Sequence, residues 1–584
     1  MSNKVAEIQA LMGQNSSAAW VTSLWSKFKD QRVNKEAEWL ELRKYIHATD
    51  TTTTANSALP WKNSTTLPKL CQIRDNLYAN YMSALMPNDN WINWEAHSVQ
   101  AAAKAKRDAV ETYMRNKVRE SNFRQEVSKL VYDYIDYGNA IVTHGYESRY
   151  KTLQDGSILP SYVGPVALRI SPEDIVFNPL AKSFDESYKV VRSIKTIGEL
   201  KKLATTDPDQ MFWEKTLENR ENLRGIITKA GYSRDDFNKA SMYTVDGFGD
   251  MYEYIFGDHV EILEFFGDYY DKETGEIHTD RVITVTDRST EVRNEPMPSW
   301  MEGSPFRHVG WRPRQDNLWA MGPLDNLVGL QYRLDHLENL KADAMDLAVH
   351  PPLVVQGEVE EFVWGPGEEI SIDENGGVSE LGKNLNGIIS AANEMQAIED
   401  RMELYAGAPR EAAGIRTPGE KTLGEVMQLA TAAGRIFQEK VSAFEIGLLE
   451  PLLNDMLECA RRNLDGNDVV RSVDSETGLQ EFKTLTKEDI TAAGVVRPVG
   501  ARHFAKQSQD LQNLLSVMNS PMGQMIQPHT NTANLAKFVD DITGLTGYDI
   551  FKPKAGLNEA QESQDHMGRL QETSAVMNST DPVA

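Results

Sequence analysis

The residues that first invite a chemical reading are Gly414-Ile415-Arg416-Thr417-Pro418-Gly419-Glu420-Lys421-Thr422. A phosphate-binding loop needs two spaced glycines followed directly by Lys and Ser or Thr, after a strand and before a helix. Here Glu420 separates the second glycine from Lys421, and would aim negative charge at the phosphate cradle. Pro418 removes one backbone donor, and the preceding segment reads as helix. The stretch is better explained as a loop in which Thr422 caps a following helix.

The other candidates for chemistry are weaker. His259 and Glu261 would share a strand face, since alternate residues do, but no third metal ligand lies nearby. His336 falls inside an amphipathic run, and His350 precedes Pro351-Pro352 at a helix end. Glu360/Glu361 and Glu368/Glu369 are sequence neighbours; in an extended segment each pair points to opposite faces, which is poor geometry for shared acid–base work. Cys71 and Cys459 make neither a disulfide framework nor a zinc site. No nucleophile elbow is present. The expectation is a protein that is not an enzyme and carries no metal or cofactor.

A chain of 584 residues holds roughly four domain-sized units. Its net charge of −25 speaks against a DNA-gripping regulator or nuclease, because phosphate neutralisation supplies most nucleic-acid affinity. A passage through which DNA slides without sticking is compatible with it, as is acidity that merely keeps the protein dispersed. No apolar run reaches the ~18 residues of a membrane span, and Met1 to Ser17 lacks a secretory apolar core. A reducing cytosol fits the cysteine usage.

Spacing of apolar residues predicts helices over Ser17 to Ile46, Leu67 to Leu85, Val99 to Glu120 and Phe123 to Tyr137, with Gly138 closing the last. The period then changes to two: Ala140 to Tyr150 and Val163 to Ile170 read as strands, and Val260 to Tyr270 with Arg281 to Thr286 as a hairpin. Short polar helices are expected over Ile197 to Ala240. Met297 to Pro313 reads as irregular, anchored by Trp300, Phe306 and Trp311. Val469 to Val473 and Gln480 to Leu485 form a second hairpin, leading to a capping box at Thr486. Helices over Val499 to Met518 and Leu535 to Leu545 precede a polar, weakly packed tail.

Leu324 to Arg462 organises the rest. Leu324, Leu327, Leu330, Leu334, Leu337, Leu340 and Leu347 define one amphipathic helix with Asp335, Glu338, Asp343 and Asp346 on its acidic side. Ile388, Ala392, Met395, Ile398, Met402 and Tyr405 define a second, with Glu394, Glu399, Asp400 and Glu403 between them. The pieces from Leu353 to Ile372 are short, β-capable and broken by Gly365-Pro366-Gly367 and Gly376-Gly377. Such strands are expected to seek neighbouring copies. A third run, Thr422 to Arg462, keeps helical spacing for some forty residues, and Pro451 predicts a kink.

Helix, small β insert, helix, loop and very long helix is an order that resembles the stem, clip, tunnel loop and wing helix of bacteriophage portal (head-to-tail connector) proteins. Pro60-Trp61 to Pro68, Ile170-Ser171-Pro172-Glu173-Asp174-Ile175-Val176-Phe177-Asn178-Pro179, Gly322-Pro323 to Gln331 and Gly494-Val495-Val496-Arg497-Pro498-Val499-Gly500-Ala501 resemble podovirus-type portals. The resemblance runs over about residues 20 to 520. It implies a mixed α+β, predominantly helical fold: a polar arm (1–17), wing (18–322), first stem helix (323–349), clip (350–386), second stem helix (387–406), tunnel loop (407–421), wing long helix and hairpin (422–498), helical crown (499–557) and mobile tail (558–584).

By that resemblance, the protein forms a ring, usually of twelve subunits, at one capsid vertex of the virion, assembled in the host cytoplasm. The ring passes double-stranded DNA without sequence specificity during packaging and ejection. Its partners are the terminase motor, a tail adaptor, and major capsid and scaffold proteins, with no membrane. Arg410, Arg416 and Lys421 of the tunnel loop either meet DNA phosphate or are simply solvated. Glu394, Glu399, Glu403, Asp335 and Glu338 are the candidates to line the channel. Val354, Phe362, Trp364 and Ile370 are the candidate clip contacts between subunits. Another head–tail adaptor or scaffold protein is the alternative, against which the insert-bearing helical hairpin argues; a packaging ATPase is opposed by the broken phosphate loop.

Overall fold

The computed structural model describes residues 16–48, 63–86, 91–96, 101–153, 158–206, 212–214, 216–217, 244–246, 259–270, 275–288, 290–298, 304–349, 353–356, 377–380, 385–407, 436–464, 466–473, 480–491 and 494–498. Helix outweighs strand, in a mixed α+β fold. The chain divides into two compact units, one of residues 1–84 with 118–462 and one of residues 85–117 with 463–584.

The larger unit begins with α1 (Ser16–Gln31) and α2 (Val33–Ile46). One continuous helix was expected here, and the break at Arg32 has a cause distant in sequence. Its buried guanidinium leaves the helix surface to bind the carbonyls of Pro172 (2.7 Å), Ile175 (2.9 Å) and Glu173 (3.1 Å), and the Glu36 carboxylate (2.9 Å). Then come α3 (Lys69–Leu85) and α4 (Phe123–Asp136), followed by strands β1 (Asn139–Thr152), β2 (Ile158–Ile170), β3 (Ile175–Phe177) and β4 (Lys189–Thr196). Helix α5 (Ile197–Thr206) precedes β5 (His259–Tyr270), β6 (Ile277–Thr286), β7 (Thr290–Pro296) and β8 (Phe306–Gly310). The region expected to be irregular thus contains β8. Its signal is nonlocal, because β8 extends the β1–β2 hairpin by pairing Asn139 with Gly310 through Thr143 with Phe306.

The order β2-β1-β8 makes one antiparallel sheet and β3-β4-β5-β6-β7 another. Helix α1 packs Ala18, Val21, Trp25 and Phe28 against Val190, Leu263, Phe265, Ile283 and Val285 of the second sheet. Trp39, Tyr137, Ile141, Phe177, Phe306 and Trp319 form a second core. Gly138 turns α4 into β1 with φ +70°, and a Cβ there would sit 2.3 Å from the Gly322 nitrogen. Phe306 and Trp311 are buried, as expected of anchors; Trp300 lies outside the described residues.

Next are α6 (Val328–Val349), β9 (Leu353–Gln356), β10 (Gly377–Glu380) and α7 (Leu385–Ala406). Strands β9 and β10 pair antiparallel with each other within the chain. The expectation that these pieces need neighbouring copies to pair is corrected for this hairpin, because the two ends of the insert meet. The chain is helical again over 436–463, where α8 (Glu450–Asn463) follows a π turn at Glu445–Leu449. Pro451 has no N–H to offer. The expected distortion takes the form of that π turn, with the Glu450 amide donating to the Glu445 carbonyl. Val441, Phe444, Leu448 and Leu452 are buried as the spacing predicts.

In the smaller unit, Ile92–Ala96 pairs antiparallel with Gly494–Pro498, and Asn467–Val473 with Gln480–Thr486. The capping box is present: the Thr486 amide and hydroxyl both donate to Asp489. The expected arm, the helices over 499–545 and the tail lie outside the described residues.

Candidate functional site: a helical hairpin and its strap

Asn63-Ser64-Thr65-Thr66-Leu67-Pro68 is extended because Pro68 disfavours helix in the residue before it and two threonines favour β geometry. Helix α3 begins immediately after the proline. The extended strap lies along α6 and meets a row of polar side chains at four-residue spacing, Gln331, Asp335, Asn339 and Asp343, all buried. The Asn63 amide donates to Asp343 Oδ1 (2.8 Å), the Thr65 amide to Asn339 Oδ1 (2.7 Å) and the Leu67 amide to Asp335 Oδ1 (2.8 Å). In return, Asn339 Nδ2 donates to the Thr65 carbonyl (3.2 Å) and Gln331 Nε2 to the Leu67 carbonyl (2.7 Å). Gln331 Oε1 accepts from the Leu70 amide (3.2 Å). One helix face thus satisfies the strap's main chain as a neighbouring strand would.

Lys69 extends the clasp to α7. Its buried ammonium lies 2.7 Å from Glu403 and 3.3 Å from Glu399. Helix α7 buries Met395, Ile398, Met402 and Ala406, at spacings of three and four. Tyr405, expected on that apolar side, is instead exposed. The hairpin's outer surface is apolar at Tyr332, Leu340, Met345 and Val349 on α6 and at Ile389, Leu404 and Tyr405 on α7. Its polarity is therefore partly inverted, with polar groups inside and large apolar groups outside.

The carboxylates expected to line a channel separate into different roles. Asp335 is fully buried and accepts from the strap, so it presents no charge to a channel; its expected place on a solvated acidic face is corrected, as is that of Asp343. Glu403 is engaged by Lys69, and Glu399 shares that ammonium. Glu338 pairs with Lys341 one turn away, and Glu394 lies 3.8 Å from Arg401 with half its side chain exposed. Val354 is exposed on β9. Arg410, Arg416, Lys421, Phe362, Trp364 and Ile370 lie outside the described residues. The four-residue spacing of Gln331, Asp335, Asn339 and Asp343 puts them on one face of a Leu-rich helix, but that this face is buried follows only from the strap, which is distant in sequence.

Two other charged clusters are structural networks. Between α2, α3 and α4 a cleft of about 290 Å³ is lined by Arg43, Arg74, Arg169, Lys129, Asp133 and Asp136, with Trp39 and Tyr132. Each of its arginines has a two-pronged carboxylate partner: Arg74 with Asp136, Arg169 with Asp133, Arg43 with Asp246. Burial pushes the Asp133 carboxyl up to about 7 against the opposing pull of Arg169. On β5, burial raises Glu261, but hydrogen bonds from Arg288 and Arg192 outweigh it and hold the carboxyl below its usual range. Glu261 is thus committed to two guanidiniums rather than to a metal shared with His259. Among the described residues, no three His, Cys, Asp or Glu side chains gather as a metal site, and no helix is long and apolar enough to cross a membrane.

No curated protein matches the chain. Residues 18–158, which contain nearly all of α1, α2 to α4, the strap and the whole of β1, match the family of the bacteriophage head to tail connecting protein, and the match supports a phage portal or connector protein.

Proposed function

We propose that the chain is the portal subunit of a phage head-to-tail connector. It assembles as a ring at one capsid vertex, conducts double-stranded DNA, and docks the packaging motor and later the tail. The observation that carries this reading is the inverted polarity of the α6–α7 hairpin. A helix pair that encloses Gln331, Asp335, Asn339 and Asp343 while exposing Tyr332, Leu340, Met345, Leu404 and Tyr405 has its apolar surface where another copy would cover it. The family match supplies the setting.

In this reading α6 and α7 are the stem, β9 and β10 open and close the clip, and 407–421 is the tunnel loop, whose Arg410, Arg416 and Lys421 touch phosphate. Glu394 and the exposed edge of Glu399 are the carboxylates left to face DNA, where negative walls favour sliding. The ring performs no chemistry of its own.

Light scattering and negative-stain imaging of the full chain test the proposal. Rings of about twelve copies are expected, and Leu404→Glu with Tyr405→Glu should reduce them to monomers that melt at the wild-type temperature. A wild-type chain that stays monomeric at micromolar concentration overturns the reading.

A further inference from the structure

Two regular spacings meet in the strap clasp. The strap offers amides at every second residue, 63, 65 and 67, to acceptors on every fourth residue of α6, 343, 339 and 335. Two residues of extended chain span about 6.6 Å, and four residues of helix about 6.0 Å. Any displacement that moves the strap two residues along one helical turn therefore recreates the ladder. Asn63 would face Asn339, Thr65 would face Asp335 and Leu67 would face Gln331, and each new partner carries an acceptor oxygen. The opposite displacement fails, because the next position on that face is Leu347.

A second observation points the same way. The Lys69 ammonium already bridges Glu399 and Glu403, which lie one turn apart on α7. A shift of one turn in either direction leaves it beside one of the two. Ser64, Thr65 and Pro68 of the strap are exposed, so no packed layer covers them that would have to be rebuilt.

We propose that the strap and α6 form a two-register coupling, in which segment 63–69 steps one helical turn along the row Asp343, Asn339, Asp335, Gln331 and carries the start of α3 with it. Turn-sized steps of one element past another belong to the known repertoire of protein switching. The register observed is the major one. It alone keeps the bonds from Asn63 Nδ2 to Asp346 and from the Leu70 amide to Gln331, and it leaves the buried Leu70 in place. The coupling links the axial position of the α6–α7 hairpin to that of α3, independently of whether the chain forms a ring.

Cysteine pairs read the two registers in the full chain with Cys71→Ser as background. Thr65→Cys with Asn339→Cys reports the observed register. Thr65→Cys with Asp335→Cys reports the stepped one, and Thr65→Cys with Gln331→Cys, two turns away, is the control. Under mild oxidation the stepped pair should cross-link several-fold above the control and below the observed pair. Asp343→Leu removes a rung used only in the observed register, so it should raise the stepped-to-observed ratio at least threefold. A stepped pair no better than the control, or a ratio indifferent to Asp343→Leu, overturns the proposal. Amide hydrogen exchange covers the case in which Asp335→Cys disturbs folding. With Asp335 intact, a step opens amides 63, 65 and 67 together with equal protection, and Asp343→Leu leaves 65 and 67 protected. Graded protection along the strap, or loss at all three in Asp343→Leu, also overturns it.

Discussion

Asn339 serves both main-chain groups of Thr65: its Oδ1 accepts from the Thr65 amide at 2.7 Å and its Nδ2 donates to the Thr65 carbonyl at 3.2 Å. A carboxamide offers both functions without charge, from two adjacent atoms of one short planar head. Asp335 and Asp343, flanking it by a turn on each side, accept only, and they meet amides only. The chemistry of each side chain in the row therefore matches what the strap presents opposite it.

Asn339→Leu keeps the volume and removes both functions, leaving an amide and a carbonyl unpaired at the edge of a buried site. A loss of about 1–3 kcal/mol in unfolding free energy is expected. Denaturant titration measures it, and exchange of the Thr65 amide should accelerate more than that of any amide in α3. Asn339→Asp keeps the acceptor but sets a buried carboxylate against the Thr65 carbonyl, a turn from both Asp335 and Asp343, and should lose at least as much at neutral pH; a smaller loss than in Asn339→Leu would show that the acceptor alone carries the contact.

Lys69 ties the end of the strap, which is bonded to α6, to α7, and Lys69→Met would leave Glu399 and Glu403 without it. Glu403 is mostly buried and Glu399 about a third exposed, with side-chain exposures of 15% and 37%, so the loss falls mainly on Glu403. Removing one partner of a buried pair costs more than the pair contributes. Lys69→Met should therefore destabilise by about 2 kcal/mol, and adding Glu403→Gln should recover most of that. A double-mutant cycle by thermal melting tests the coupling; no recovery would place the damage in packing rather than charge.

The helices at three- and four-residue spacing, the β5–β6 hairpin, the Thr486 capping box and the Gly138 turn were legible because each is written in adjacent residues. The burial of Asp335 and Asp343 was not, because their acceptor role exists only once a strap some 270 residues away lies beside them. The same reason hid β8 and the pairing of Ile92–Ala96 with Gly494–Pro498. Arg32 broke a helix that its own neighbours favoured, since its carbonyl partners sit on the 172–175 segment. Local pattern specifies elements; which polar face is inside is decided by a distant partner.

Glycines at positive φ separate two kinds of constraint. Gly138 and Gly407 both have φ +70°, but a Cβ on Gly138 would strike the Gly322 nitrogen at 2.3 Å, whereas one on Gly407 would only touch Ile436 at 4.0 Å. Asparagine tolerates the left-handed conformation and still brings a Cβ. Gly138→Asn should abolish soluble expression or lower stability by more than about 3 kcal/mol, while Gly407→Asn should cost less than about 1 kcal/mol. Thermal melting of the two variants compares space with backbone conformation directly.

Acid and alkaline stability should trace to His308 and Lys189, which share one aromatic cluster. His308 stacks on Phe184 with centroids 4.8 Å apart and donates through Nε2 to Asn139 Oδ1 at 3.1 Å, the tautomer that acceptor requires. Lys189 lies over the same Phe184 ring at 4.6 Å and donates to the Ser187 carbonyl at 2.6 Å. Burial, then the nearby ammonium, push the imidazole down to about 4; burial, opposed by Asp185, pushes the lysine down to about 8. Both folded values lie below the unfolded ones, so the unfolded chain binds more protons in each window. Stability from His308 is complete above about pH 6.5 and is lost as pH falls toward 4, by at most about 3 kcal/mol. Lys189 contributes a separate rise between about pH 8 and 10.5, with a plateau between the two windows. His308→Gln keeps a donor for Asn139 and should flatten the acid limb; Lys189→Met should flatten the alkaline limb and, by removing the ammonium that helps depress the imidazole, also reduce the acid limb without abolishing it. Melting temperatures from pH 4.5 to 10 decide it, and an acid limb unchanged in His308→Gln would assign acid sensitivity to the carboxylate networks instead.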